Sequence, residues 1–228
     1  MSFDYIEKKF KSADGKTLQL FEYRPEKKII SSIILVYEIF GVTKHIHKVA
    51  HSLSSKGFLV QIPDLYSRIE KNIVLEYNKK GFKKGIEFKE KLGWDLPVMD
   101  IVYCASVLKE EYPVNIMGFC YGGSLSWLAS QRSFMFDKAV CYYGSSIPEF
   151  LEKSLNCPAL LHLGKKDKGI PQKSVEKVKA FNKKYNENIS IYEYDADHGF
   201  NCEDRVSYNK TAALLSMERS LNFLLEEK

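Results

Sequence analysis

The sequence predicts an α/β protein with a mostly parallel central sheet and helices on both faces. Three observations carry that prediction. Short continuous apolar runs recur along the chain, amphipathic stretches at helical spacing separate them, and glycine or proline marks many of the junctions.

The elements follow in order. Phe10 to Tyr23 reads as two short strands around the turn Asp14-Gly15, an antiparallel start to the sheet. Ser32 to Tyr37 is a continuous apolar run, as expected of a strand buried on both faces. Ile46, Val49, Ala50 and Leu53 then recur at helical spacing, and Gly57 closes that helix. Phe58 to Ile62 is the next buried strand, ending at Pro63-Asp64. From Leu65 to about Trp94 the rhythm breaks. The segment is rich in lysine and aromatics, carries Gly81, Gly85 and Gly93, and reads as an insertion or lid.

Val98, Ile101, Val102, Ala105 and Leu108 restore a helical stripe. A strand at Val114 to Met117 and a helix from Tyr121 to about Ser130 follow. Ala139 to Tyr143 and Ala159 to Leu163 are two further buried strands. Val175, Val178 and Phe181 mark a helix between Pro171 and Tyr185, and Ile189 to Tyr194 is a late strand. The last helix is read with Leu214, Met217, Leu221 and Leu224 on one face. No repeat, low-complexity tract or linker interrupts the chain, so one domain over 1–228 is expected.

Composition narrows the function classes. The 228 residues are 45% hydrophobic and 28% charged, ordinary for a soluble globular protein. The net charge of +5 comes from dispersed lysines, which fits a solvated surface better than a nucleic-acid partner. Met1 to Glu7 has no basic-then-apolar signal pattern, and no apolar stretch approaches the roughly 20 residues that cross a bilayer. The five cysteines are odd in number and outside any C-x-x-C pair, so free thiols in a reducing cytoplasm are expected. His45, His47 and His51 share one helix but have no third ligand nearby, so no metal and no cofactor are expected. No long apolar surface stripe is left over, and a monomer is expected.

Chemistry concentrates at Gly118-Phe119-Cys120-Tyr121-Gly122-Gly123, directly after a buried strand. G-x-C-x-G-G has the strand–nucleophile–helix order of a nucleophile elbow, with cysteine where serine is usual. Glycines two before and two after the nucleophile suit a turn too cramped for side chains. A thiol at the apex points to covalent acyl transfer by a thiolate. Such a site also needs an acid and a histidine, in that chain order, after later strands. Asp167 lies just beyond the strand 159–163, and His198 just beyond 189–194. Both fall at carboxyl ends of strands, where open α/β sheets place their ligands. Asp195 and Asp197 are rivals to Asp167, although their closeness to His198 in sequence makes it awkward for them to orient its far nitrogen. His162, in mid-strand, reads as a core residue. The backbone N–H of Tyr121 supplies one oxyanion donor, and the loop Glu38-Ile39-Phe40-Gly41 should supply the second.

With these residues in place, the chain resembles the dienelactone hydrolase (carboxymethylenebutenolidase) family. Val36 to Gly41, Pro63 to Tyr66, the elbow hexapeptide, the Asp167 loop and His198-Gly199-Phe200 carry the likeness. Arg205, Tyr208, Asn209, Ala212 and Ala213 extend it through the C-terminal segment. The resemblance implies an α/β-hydrolase fold and a Cys120-His198-Asp167 triad. It also implies that Glu38 takes part in activating the thiol and that the Ile39 amide is the second oxyanion donor. The substrate is then a small ester, lactone or thioester, with Arg205, Phe40, Tyr66 and Phe200 as candidate contacts. Dienelactone-degrading members clamp a substrate carboxylate with arginines. Here Cys202 falls near one such place, Arg205 follows three residues later, and the lid offers Arg68, Lys83 and Lys84. The competing expectation is a non-catalytic or redox-sensing protein of the same fold, in which Cys120 would pair with Cys202.

Overall fold

The computed structural model describes residues 3–185 and 188–226. The chain divides into two compact units, Met1–Ile116 and Met117–Lys228. The expected α/β class is the one found: eight strands, mostly parallel, with helices around them.

In the first unit, β1 (Ile6–Lys11) and β2 (Thr17–Tyr23) pair antiparallel, as the Asp14-Gly15 turn predicts. β3 (Ser31–Val36) is followed by α1 (Lys44–Ser54) and β4 (Phe58–Asp64), and β3 and β4 run parallel. The strand order in this unit is β1-β2-β4-β3-β5, where β5 (Val114–Phe119) leads into the second unit. All four apolar residues assigned to the α1 stripe are buried. His47 of α1 packs against the Tyr5 ring at 5.1 Å and lies 2.6 Å from the Tyr23 hydroxyl, and burial lowers its pKa.

The segment after β4 contains more structure than its composition suggests. A short 3-10 turn, Leu65–Arg68, precedes α2 (Lys79–Leu92), and α3 (Asp95–Lys109) follows. The buried residues of α2 are Gly81, Gly85, Phe88 and Leu92, so half of its inner face is glycine. A Cβ on Gly85 would stand 2.4 Å from the Ile39 carbonyl oxygen. The helix therefore approaches the 38–41 loop more closely than any side chain would permit. Arg68 is not a spare cation: its guanidinium makes two 2.6 Å bonds to buried Asp100 and one of 2.7 Å to Asp14.

Asp64, at the end of β4, is 1% exposed. Burial raises its pKa to about 6, while the Tyr37 hydroxyl and the Tyr66 and Ser67 amides pull the other way. The folded protein thus holds that proton more tightly than the unfolded chain does. The associated stability is full below about pH 4 and is lost as pH rises through about 6. Asp64→Asn is expected to be neutral near pH 4 and stabilising by about 3 kcal/mol at pH 8. Urea titrations at the two pH values check this.

The second unit carries α4 (Tyr121–Arg132), β6 (Lys138–Tyr142), β7 (Ala159–Gly164), α5 (Gln172–Tyr185), β8 (Ile189–Tyr194) and α6 (Lys210–Leu225). Its strands lie in the order β5-β6-β7-β8, with β6, β7 and β8 parallel. One expectation is corrected here. The inner face of α6 is Ala212, Ala213, Ser216, Ser220 and Leu224, and Leu214 is 62% exposed. The cause is polar: the Ser220 hydroxyl meets the Tyr142 hydroxyl at 2.8 Å and His162 Nε2 at 2.9 Å. Those bonds turn the serine side of the helix inward. No helix among the described residues is long and apolar enough to cross a membrane.

Candidate active site

β5 delivers the chain to Cys120, which has φ 53° and ψ −113°, a backbone conformation that L-residues seldom adopt. Its neighbours show why the turn is made there. A Cβ on Gly118 would lie 2.0 Å from the Gly122 carbonyl oxygen, and one on Gly123 would lie 2.4 Å from that of Tyr142. The Cys120 amide donates to the Tyr142 carbonyl at 2.9 Å, and its own carbonyl accepts from Ser124 at 3.1 Å. The thiol is thereby presented at the mouth of α4. Tyr121 is the first residue of that helix, where amide N–H groups and the helix dipole favour negative charge.

Asp167 follows β7 in a tight loop. Its amide donates to Gly164 at 3.2 Å, and its Oδ1 accepts the Gly169 amide at 2.8 Å. Those contacts leave the other carboxylate oxygen aimed at the loop after β8, where His198 sits. Gly199 has φ 78°, and a Cβ there would strike the Arg205 guanidinium at 2.2 Å. His198 Nδ1 lies 2.7 Å from Asp167 Oδ2, and its Nε2 lies 3.1 Å from Cys120 Sγ. One imidazole thus spans a carboxylate and a thiol. The rivals are elsewhere: Asp195 pairs with Lys166 at 3.0 Å, and Asp197 accepts the His198 backbone amide at 2.7 Å.

Burial alone would push the His198 imidazole down. A charge on Cys120, the hydrogen bonds to Asp167 and Cys120, and the Asp167 charge outweigh that and lift it to about 10. The ring can therefore hold a proton between Asp167 and Cys120. His162 behaves as a core residue. It is fully buried between the Tyr194 hydroxyl (2.8 Å) and Ser220, and burial lowers it to about 3.

The remaining candidates are placed as follows. In the first unit Glu38 is buried, and Ile39 offers its carbonyl to the Tyr66 hydroxyl at 3.0 Å. Tyr66 is wholly buried against Phe88, and Phe40 packs on Tyr77 at 4.6 Å between ring centroids. In the second unit Phe200 is wholly buried, and Arg205 is half-buried beside Gly199. Cys202 is buried, and all five cysteines are free. One neighbour of the imidazole escapes a reading of the sequence. Tyr143 directly follows β6, and its ring lies 5.0 Å from that of His198. Only Gly144 after it hints at a turn. Among the described residues no group of three His, Cys, Asp or Glu could hold a metal.

Comparison with known proteins gives the family and the fold. Residues 18–227 match the sequence model of the dienelactone hydrolase family. A carboxymethylenebutenolidase of Pseudomonas putida is 28% identical over 221 residues, which cover 93% of this chain and 93% of the relative. The solved structure of a candidate dienelactone hydrolase from Klebsiella pneumoniae superposes with a TM-score of 0.86 at 27% identity, over the whole of both chains. A dienelactone hydrolase-like promiscuous phosphotriesterase from metagenomic libraries shares the fold, with a TM-score of 0.80 at 16% identity over 96% of this chain and 97% of that one.

Proposed function

We propose, for a chain that belongs to the dienelactone hydrolase family and is therefore a hydrolase of the carboxylic-ester type, that Cys120, His198 and Asp167 cleave a small ester, lactone or thioester through an acyl-cysteine. The single observation that carries this reading is the His198 bridge, 2.7 Å to Asp167 and 3.1 Å to Cys120.

His198 Nε2 takes the thiol proton while Asp167 holds Nδ1–H and balances the imidazolium charge. The thiolate forms a C–S bond to the carbonyl carbon, and the carbonyl π pair moves onto oxygen. The Tyr121 amide receives that oxyanion, and by resemblance the Ile39 amide is its second donor. The pair returns, the C–O bond of the leaving group breaks, and His198 Nε2–H protonates the departing oxygen. Water, deprotonated by the now neutral His198, attacks the thioester, and the thiolate leaves. Glu38, by resemblance, acts with His198 in activating the thiol.

A thiolate expels oxygen leaving groups more readily than amines, so enol esters and lactones suit it better than amides. Arg205, beside Gly199, is the candidate contact for a substrate carboxylate, and Phe200 is the candidate apolar residue of the same unit. A lactone of the carboxymethylenebutenolidase type, after the Pseudomonas relative's name, is the first substrate to try. A single catalytic domain over 1–228, acting as a monomer, completes the reading. The free cysteines suit a reducing cytoplasm.

Acid-quenching the protein during turnover of p-nitrophenyl acetate is expected to trap one acetyl group on Cys120. Peptide mass mapping reads it. Turnover with acetyl on another residue, or on none at all, would refute the acyl-cysteine.

A further inference from the structure

We propose that Tyr143 is a positioning residue of this site, its ring supporting the charged imidazole of His198 from the side that neither Asp167 nor Cys120 touches. The proposal rests on the reading of His198 as the base for Cys120.

The backbone makes this placement deliberate. β6 ends at Tyr142, whose carbonyl is held by the Cys120 amide at 2.9 Å. The Tyr143 amide in turn donates to the His162 carbonyl at 2.8 Å. The junction is thus pinned to the elbow on one side and to β7 on the other. Between these two anchors Tyr143 takes φ 36°, a left-handed value that a β-carbon disfavours. Gly144 cannot relax it by moving, because a Cβ there would already press the Ser124 amide at 2.8 Å. Only three described non-glycine residues have positive φ, and two of them, Cys120 and Tyr143, touch His198. Strained residues held by their surroundings concentrate at functional sites.

The turn brings the Tyr143 ring to 5.0 Å from the His198 ring, with the planes at 60°. Phe200 packs edge-on against Tyr143 at 5.3 Å and 73°, and Phe119 lies at 6.2 Å, so the ring is boxed in. Tyr143 is wholly buried. An aromatic face attracts a nearby cation, and the attraction grows where water is excluded. Cys120 and Asp167 occupy its two nitrogens, and Asp197 accepts its backbone amide. Arg205 lies beside Gly199, and the Lys166–Asp195 pair links the same two loops. Of these only Cys120 and Asp167 bond the ring, and neither covers its face.

Three variants test the proposal. Tyr143→Phe keeps the ring, Tyr143→Leu removes it, and Tyr143→Gly removes it while relieving the positive φ. The Phe variant is expected to hold kcat/KM within about twofold. The Leu and Gly variants are expected to lose about tenfold in kcat with little change in KM. Their His198 titration midpoint, followed by NMR of the imidazole carbons, should fall by about one pH unit. Circular dichroism and thermal melts confirm folding, and the unstrained Gly variant guards against a collapsed Leu variant. An unmoved midpoint in the folded Gly variant overturns the proposal. So does a Phe variant as impaired as Leu, which would make the hydroxyl the working group. The midpoint is read on the imidazole itself, independently of which residue is acylated. Full activity in Cys120→Ala would instead overturn the underlying reading of the site.

Discussion

Cys120→Ala is expected to lower kcat/KM for an activated ester by about 10⁴-fold or more, some 5 kcal/mol of transition-state stabilisation. The change removes the sulfur that forms the acyl bond in the proposed mechanism, and leaves His198 and its carboxylate facing a methyl group. What survives is slow hydrolysis by water with help from the imidazole and the helix N-terminus. Cys120→Ser should recover part of the loss, because the hydroxyl fills the same place. It should remain far below the parent, since a hydroxyl gives up its proton much less readily than a thiol. His198→Ala should fall about as far as Cys120→Ala, and the double variant no further, because residues acting as one unit are not additive. Initial rates with p-nitrophenyl acetate and an enol lactone measure all four proteins. A Cys120→Ala protein that turns over at the parent rate would end the acyl-cysteine reading.

The same residues show which parts of the molecule can be read from sequence. The elbow was legible because its glycines answer to contacts a few residues away: Gly118 is forced by the carbonyl of Gly122. Asp167 and His198 were legible because each stands just past a buried apolar run, in the chain order the chemistry needs. Choosing Asp167 over Asp195 and Asp197 was only half legible. Closeness in sequence counted against the rivals, but it takes the 2.7 Å contact to show which carboxylate reaches the ring.

Elsewhere the pattern misleads for a physical reason. Helix α2 buries glycines, and a search for apolar spacing cannot see a face made of missing side chains. Helix α6 turns Ser220 inward to bond Tyr142 and His162, so of the predicted apolar stripe Leu224 is buried while Leu214 faces outward. Arg68 looked like a free lid cation because Asp14 and Asp100 lie 54 and 32 residues away from it. Tyr143 carries almost no local signal beyond the Gly144 that follows it. Its positive φ is imposed by anchors on the elbow and on β7, and neither lies near it in sequence.

Asp167→Asn is expected to cost about 10³- to 10⁴-fold in kcat while leaving the fold and KM nearly intact. The side chain has almost the same shape and is buried, so the loop should persist. The chemistry does not persist. An amide that turns its NH₂ toward Nδ1 makes that nitrogen the acceptor and moves the ring proton to Nε2. The nitrogen facing Cys120 can then no longer take the thiol proton. An amide that turns its oxygen inward keeps the tautomer but gives up the carboxylate charge. That charge and its hydrogen bond are two of the influences that raise His198 to about 10. Removing them lowers the imidazole, so the alkaline limb of kcat/KM, set by loss of the imidazolium proton, must move to lower pH. A variant limb that stays in place, or moves upward, would mean that Asp167 does not act on His198 through charge. Iodoacetamide gives a second reading of the same event, since its alkylation of Cys120 follows the thiolate without needing an oxyanion. With the carboxylate gone, less imidazolium is available to pair with the thiolate near neutral pH. Alkylation at pH 7 should therefore slow, and the gap from the parent should close as pH rises far enough to ionise the thiol unaided.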